Sequence, residues 1–205
     1  GVERTWVDLC AGPGGKTALL AGLASSRNVS VIANEVSPHR AELVRASTKA
    51  FPDQTVQVLQ GDGRDFGELH PGKADRVLVD APCSGLGSLR RRPEARWNKS
   101  ATDLKDLTAL QQVLLQSALQ TVKPGGVVGY ATCSPHLAET RQVVESVVKN
   151  RADLRVLDAP AVARDIIVNS EHDLGSGPYL QLWPDRDGTD AMFLALIEKL
   201  PDSQE

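Results

Sequence analysis

The sequence predicts an α/β fold: a mainly parallel, twisted sheet with one antiparallel strand and helices on both faces. Three observations predict it. Apolar runs of β type alternate with helical patterns along most of the chain. The first run passes into a glycine-rich stretch and then a helix, the form of a strand-to-helix turn. The chain closes on two β runs close in sequence, "YLQLW" and "AMFLALI", and such sheets often carry one antiparallel member.

Taken in order, "TWVDLC" reads as the first strand, followed by a helix from about Lys16 to Ser25. "VSVIAN" is the second strand. Ser37-Pro38 then supplies an N-cap and an N1 proline for a helix to about Ala50. "TVQVLQ", Thr55 to Gln60, is the third strand and "DRVLVD", Asp75 to Asp80, the fourth. A long loop leads to a helix from about Thr102 to Val122, with Leu104, Leu107, Leu114 and Ala118 on one face. "KPGG" turns the chain into "VVGYATC", a fifth strand, and Ser134-Pro135 caps another helix, to about Asn150. There is no internal repeat and no low-complexity segment.

The 205 residues, 41% of them hydrophobic, suit one domain with a substantial core. No apolar run is long enough to cross a membrane, and no secretory leader is expected. Cys10, Cys83 and Cys133 are too widely spaced for a zinc pair or a disulfide framework, so no metal is expected and a reducing compartment, the cytoplasm, is. The first residue is Gly1 and an apolar run begins almost at once, so the chain is expected to be a fragment of a longer protein. The net charge of −3 argues weakly against nucleic acid. Against that, "SLRRRPEARWNK", Ser88 to Lys99, is a basic stretch with a tryptophan inside it, and a local patch counts for more than total charge. A solvated loop is the alternative.

Ligands of such sheets sit beyond the carboxyl ends of the strands. The first strand ends in "DLCAGPGGKT", Asp8 to Thr17. A Walker loop would need glycine where Cys10 stands, and a dinucleotide fingerprint begun at Gly12 and Gly14 would need its third glycine at Thr17. The loop can still bring backbone N–H groups close to a ligand, or be a plain turn. Glu35, twenty residues after Gly15, could accept ribose hydroxyls, or be an exposed residue at a helix start. Asp62, between two glycines, could reach an adenine amino group, or be a turn aspartate. Together these describe a nucleoside site without a pyrophosphate device. Lys16, a cation in the first turn of a helix, is disfavoured by the helix dipole and calls for an anionic partner. Cys83 and Cys133 close the fourth and fifth strands, and each precedes a serine. A thiolate is a strong nucleophile. His136, three residues after Cys133, leaves a Cys-His hydrolase conceivable, whereas Cys10 reads as a small buried hydrophobe.

"DLCAGPGGKT", "GDGRDF", "DAPCSGLGSLRRRPEARW", "LLQSALQTVKPGGVVGYATCS" and "GTDAMFLALI" resemble the RNA 5-methylcytosine methyltransferases of the NOL/NOP/Sun group, which includes the bacterial RsmB (Fmu, Sun) type. The resemblance runs from Trp6 to Glu198, and the pairing of Asp-Ala-Pro-Cys with Ala-Thr-Cys-Ser is its specific part. It implies the Rossmann-like class I methyltransferase fold and S-adenosylmethionine as cofactor, leaving S-adenosylhomocysteine as product. It assigns cofactor binding to Cys10, Ala11, Gly12, Pro13, Gly14, Gly15 and Lys16, to Glu35 and Arg40, to Asp62 and Gly63, and to Asp80. Cys133 would be the nucleophile that adds to carbon 6 of cytosine. Asp80 would hydrogen-bond or protonate ring N3, with Lys16 nearby, and Cys83 would break down the adduct. Cytosine methyltransferases acting on DNA use a Pro-Cys nucleophile instead, which would be Cys83.

Arg90, Arg91, Arg92 and Arg96 would hold RNA phosphates, and Trp97 would stack on a base or pack the loop, packing being the favoured reading. The implied partner is RNA, ribosomal rather than transfer, bound by a monomeric enzyme that does not meet a membrane. The closing motif reads Asp190-Ala191 where the family has Asp-Gly, expected to alter only a turn. The chain is expected to be one catalytic domain, 1–205, without the upstream RNA-binding segments of the family. An NAD-dependent oxidoreductase and an RNA-assembly scaffold are the rival readings. The missing third glycine opposes the first, and the retained Cys83, Cys133 and Asp80 oppose the second.

Overall fold

The computed structural model describes residues 2–97, 100–167 and 173–201. Gly1, and Asn98 and Lys99 at the end of the basic stretch, lie outside them. The chain divides into two compact units: one takes in the residues to Asp80, Gln116–Val128 and the chain from Lys199, the other Ala81–Leu115 and Gly129–Glu198. Among the described residues no helix is long and apolar enough to cross a membrane.

The first unit runs β1 (Thr5–Asp8), α1 (Gly15–Ser25), β2 (Ser30–Glu35), α2 (Pro38–Thr48), β3 (Val56–Gln60), α3 (Phe66–Leu69) and β4 (Ala74–Asp80). The strands lie in the order β3-β2-β1-β4, and each of these pairings is parallel. Val7 stands opposite both Ile32 and Val77, so β2 and β4 each run two residues beyond the end of β1. The helices bury small residues, Thr17, Ala21 and Ala24 on α1 and Ala41, Val44 and Thr48 on α2, at spacings of three and four that share one face. Trp6, Ala24, Val29 and Val31 pack into one cluster, and Ala11, Ala33 and Val44 into another beside the glycine loop. Ser37 caps α2 as expected, its hydroxyl accepting from the Arg40 amide, with Pro38 behind it.

Next come α4 (Ala101–Thr121) and β5 (Val122–Thr132), each passing from one unit to the other. In the first unit β5 extends the order beyond β4. The turn expected at Lys123–Gly126 does not form: β5 begins at Val122, directly after α4. Lys123 is ion-paired with Asp75 near the start of β4. At Gly126 a Cβ would stand 2.7 Å from the Asp75 carbonyl, so glycine lets the segment lie close against β4.

The second unit continues with α5 (Arg141–Val148), β6 (Leu154–Val156), α6 (Ala159–Ile166), β7 (Tyr179–Gln181), α7 (Pro184–Asp187) and β8 (Phe193–Lys199). Its strand order is β5-β8-β6, and β7 pairs antiparallel with β8, as the two closing β runs predict. Phe193 meets Tyr130 edge-on and Tyr179 at a tilt, with centroids 6.3 and 5.4 Å away. The helix expected directly after Ser134-Pro135 starts later. Ser134 spends its hydroxyl on the Glu139 carboxylate, a 3-10 turn at Leu137–Glu139 follows, and α5 begins only at Arg141.

Candidate functional site

In the first unit the link from β1 to α1 walls a cavity of about 360 Å³ together with Asp8 and Asp80. Cys10–Pro13, Gly15 and Lys16 line it. Gly14 has φ 110, and a Cβ there would stand 2.9 Å from the Val44 Cα, so both conformation and space require glycine. Glu35 is almost fully buried and braces the loop: it accepts from the amides of Gly12 and Ser37, each at 2.9 Å. Arg40 donates to the Gly12 carbonyl and lies 3.7 Å from Glu35. Asp62 is gripped by Arg64, whose hydrogen bonds hold its carboxyl below the usual range. The carbonyl of Gly63 accepts from Ser117 at 2.6 Å. Glu35, Arg40, Asp62 and Gly63 therefore stand around the loops rather than among the residues that line the cavity.

Lys16 finds its anionic partner in Asp80, at 2.6 Å. Asp8, which the sequence reading passed over, is 1% exposed. Thr17 donates to its Oδ2 at 2.7 Å, and Oδ1 has no hydrogen-bond partner among the described residues. Burial pushes its pKa up to about 6, with the Thr17 bond opposing and the charge of Asp80 adding. Burial and the carboxylates of Asp8, Glu35 and Asp80 likewise push the Cys10 thiol up. Two carboxyls and one already paired ammonium make a poor seat for phosphate. They suit a ligand that brings a cationic group of its own, and the cavity has the size of a small-molecule site. A sulfonium carrying an amino acid and a nucleoside fits this donor set.

In the second unit Cys83 and Cys133 bring their sulfurs to 3.3 Å. Neither is in a disulfide, and both are half-buried. The Ala81 amide donates to the Ala131 carbonyl and the Gly87 amide to that of Cys133, each at 2.9 Å, which fastens the two segments together. A Cβ on Gly87 would stand 2.2 Å from the Ala191 carbonyl and 2.8 Å from that of Cys133. The hydrogen bond with Cys133, burial and the neighbouring sulfur's charge all push the Cys83 thiol up. His136 is exposed, and its Nδ1 accepts from the Ala138 amide, so it serves a turn.

Glu139 is the residue here that the sequence reading missed. It is fully buried, and its carboxylate receives the Ser84 amide and hydroxyl, the Ser134 hydroxyl and the Gln111 side-chain amide. An acidic residue in a segment read as the first turn of a helix gives no sign of this. Asp190 was passed over too. It is 8% exposed and holds Arg91 with Nε–Oδ2 at 2.9 Å, while Arg90 lies 3.9 Å away. Its neighbour Ala191 is buried and donates to the Gly87 carbonyl at 2.8 Å, so the closing motif does more than turn the chain. Arg90, Arg91, Arg92 and Arg96 are all exposed. Trp97 does not pack the loop: it is 81% exposed, with the Arg96 guanidinium 5.5 Å from its ring centre.

The family model of 16S rRNA methyltransferase RsmB/F matches residues 2–198. A Mycobacterium tuberculosis protein named as a candidate methyltransferase is 53% identical over 195 residues, covering 95% of this chain and 40% of that protein. Ribosomal RNA small subunit methyltransferase F of Aeromonas salmonicida is 33% identical over 193 residues, covering 94% of this chain and 40% of its own length. NSun6 from Pyrococcus horikoshii, crystallised with the S-adenosylmethionine analogue SFG, has a TM-score of 0.79. It is 25% identical and covers 97% of this chain and 48% of that one. The chain spans about 40% of the length of the curated relatives it matches. A family match over nearly the whole length, on a mostly parallel sheet, makes the chain a member of the RsmB/F family of 16S rRNA methyltransferases.

Proposed function

We propose that the protein transfers the methyl group of S-adenosylmethionine to carbon 5 of cytosine in RNA through a covalent cysteine adduct. The observation that carries this reading is the pair of thiols 3.3 Å apart at the ends of β4 and β5. Addition and later expulsion of a thiolate give two sulfurs two jobs. Carbon 5 of cytosine is a poor nucleophile until a thiolate adds at carbon 6 and turns the ring into an enamine. Cys133 supplies that thiolate, the role that the family resemblance gives to the cysteine of the Thr132-Cys133 motif. Asp80, held by Lys16, hydrogen-bonds at ring N3 and stabilises the charge that develops on addition. Cys83 assists release, in which the carbon 5 proton leaves, the carbon–sulfur bond breaks and the ring is restored.

The bound cofactor supplies an electrophilic methyl group on a sulfonium. Cys10 to Lys16 and Asp80 hold it, with Glu35, Arg40, Asp62 and Gly63 fixing the loops around it. The substrate is ribosomal RNA, with transfer RNA as the alternative, and Arg90, Arg92 and Arg96 meet its phosphates. The family membership supports the RNA class, and the acidic cavity supports a cationic cofactor over NAD. Residues 1–205 form the catalytic domain of a monomeric enzyme working in the cytoplasm.

The two thiols test this. With RNA substrate and full-length protein, Cys133→Ala should abolish both methylation and any covalent protein–RNA complex. Cys83→Ala should accumulate a complex that survives denaturant and requires Cys133. The reverse pattern would make Cys83 the nucleophile, and unchanged turnover in both variants would end thiol catalysis as an explanation.

A further inference from the structure

We infer that Glu139 is the positioning residue of the thiol pair: its buried carboxylate ties the residue after Cys83 to the residue after Cys133 and so holds the two sulfurs together. The inference takes its catalytic meaning from the proposed function but stands on its own geometry.

Each cysteine can swing its sulfur about χ1, so the separation depends on where the two backbones sit. Glu139 sets both. One oxygen accepts the Ser84 amide at 2.7 Å and the Gln111 side chain at 3.2 Å. The other accepts the hydroxyls of Ser84 at 2.5 Å and Ser134 at 2.6 Å. Gln111 also donates to the Pro82 carbonyl at 2.7 Å, so Cys83 is held from both sides, at Pro82 and at Ser84. Glu139 is itself anchored, because the Tyr130 hydroxyl donates to its carbonyl at 2.8 Å. All these groups lie in the second unit. The carboxylate's partners are neutral. Burying such a group costs more than filling the space with an apolar side chain, so stability alone gives no reason for it. A hub with four donors, two on each oxygen, does fix direction and distance.

The two serines make the inference testable, since each is one arm of the same clamp. With full-length protein, RNA substrate and S-adenosylmethionine, Ser84→Ala should loosen Cys83 and accumulate the Cys133-dependent covalent complex. Ser134→Ala should loosen Cys133 and lower formation of that complex at least roughly tenfold. Both serines are buried, so a merely structural network would make the two variants fail alike, in step with their thermal stability. Glu139→Gln can keep every contact if the serine hydroxyls turn round, and should stay within about threefold of the parent.

A second measurement needs no RNA. Diamide takes up two electrons and two protons as the Cys83 and Cys133 thiols join in a disulfide, which peptide mass spectrometry follows. Folded Glu139→Ala should form it at least roughly tenfold more slowly than the parent, and Glu139→Gln at nearly the parent rate. Equal behaviour of the two serine variants, or undiminished oxidation of folded Glu139→Ala, overturns the inference. If Glu139→Ala does not fold, the serine pair decides. If no variant gives a covalent complex, Cys83→Ala included, the proposed function fails, and the diamide rates still decide the clamp.

Discussion

The glycine loop of the first unit and the thiol cluster of the second are built from different materials. The loop is mostly backbone: glycines pressed against α2, amides aimed at Glu35, and a cavity with few side chains in it. The cluster is mostly side chain: two sulfurs, two hydroxyls, an amide and a carboxylate, locked around a buried centre. A loop of the first kind recognises shape and can be ruined by one added methyl group. A cluster of the second kind tolerates changes of volume better than changes of hydrogen bonding. The two should therefore break independently.

The largest effects come from attacking each region in its own material. Gly14→Ala puts a Cβ at φ 110 and 2.9 Å from the Val44 Cα, so the loop must move. Affinity for S-adenosylhomocysteine should fall at least roughly tenfold by calorimetry, with the diamide oxidation of Cys83 and Cys133 unchanged. Cys133→Ala should do the reverse, with affinity within about twofold and catalysis gone. A Gly14→Ala protein that binds as tightly as the parent would show that the loop does not seat the cofactor.

The next effect sharpens the contrast through charge. Asp8 is buried in the first unit with a pKa raised to about 6. The folded protein therefore holds this proton to higher pH than the unfolded chain does. The stability it contributes is complete below pH 3.8, the ordinary value, and is lost as pH rises through 6. Raising a carboxyl from 3.8 to about 6 corresponds to about 3 kcal/mol. Urea melts of the protein and of Asp8→Asn, compared from pH 4 to 7, should differ by a margin that changes by about that much, to the disadvantage of the aspartate. A constant margin would mean that Asp8 titrates normally.

How far each region could be read from sequence follows the same divide. The strands and the glycine loop announce themselves, because β-branched runs, an N-cap with proline and clustered glycines are local signals. The Lys-Pro-Gly-Gly segment misleads because those residues already belong to β5, and the ion pair of Lys123 is with Asp75, far away in sequence. Ser134 misleads likewise, since a hydroxyl placed to cap a helix is taken by Glu139. Cys83 and Cys133 are legible as strand-end thiols. The centre that holds them is not, because a buried glutamate and an exposed one look alike until the chain is folded.

Smaller effects concern the arginines beside the cluster. Arg91 is tied to Asp190, whereas Arg92 has no ion pair among the described residues. Arg92→Ala should reduce the slope of log affinity against log salt for RNA by about one, as expected for one lost phosphate contact. Asp190→Ala releases Arg91 and should weaken RNA binding through the placing of the loop, with little change of slope. An unchanged slope for Arg92→Ala would remove that residue from the phosphate contacts.

The smallest effect on the fold belongs to Trp97. An aromatic ring inside a basic stretch would ordinarily be credited with packing, and its loss from a core would cost about 3–5 kcal/mol. Here the ring is 81% exposed and meets the Arg96 guanidinium at 5.5 Å, an arrangement worth about 0.5–1 kcal/mol at an exposed site. Trp97→Ala should leave the urea midpoint almost unchanged, within about 1 kcal/mol of the parent. The same ring offers a face on which an unstacked base can lie, so binding of single-stranded RNA should fall where stability does not. Loss of stability on the scale of a core aromatic would return Trp97 to packing. Unchanged stability together with unchanged RNA binding would leave the ring with neither role.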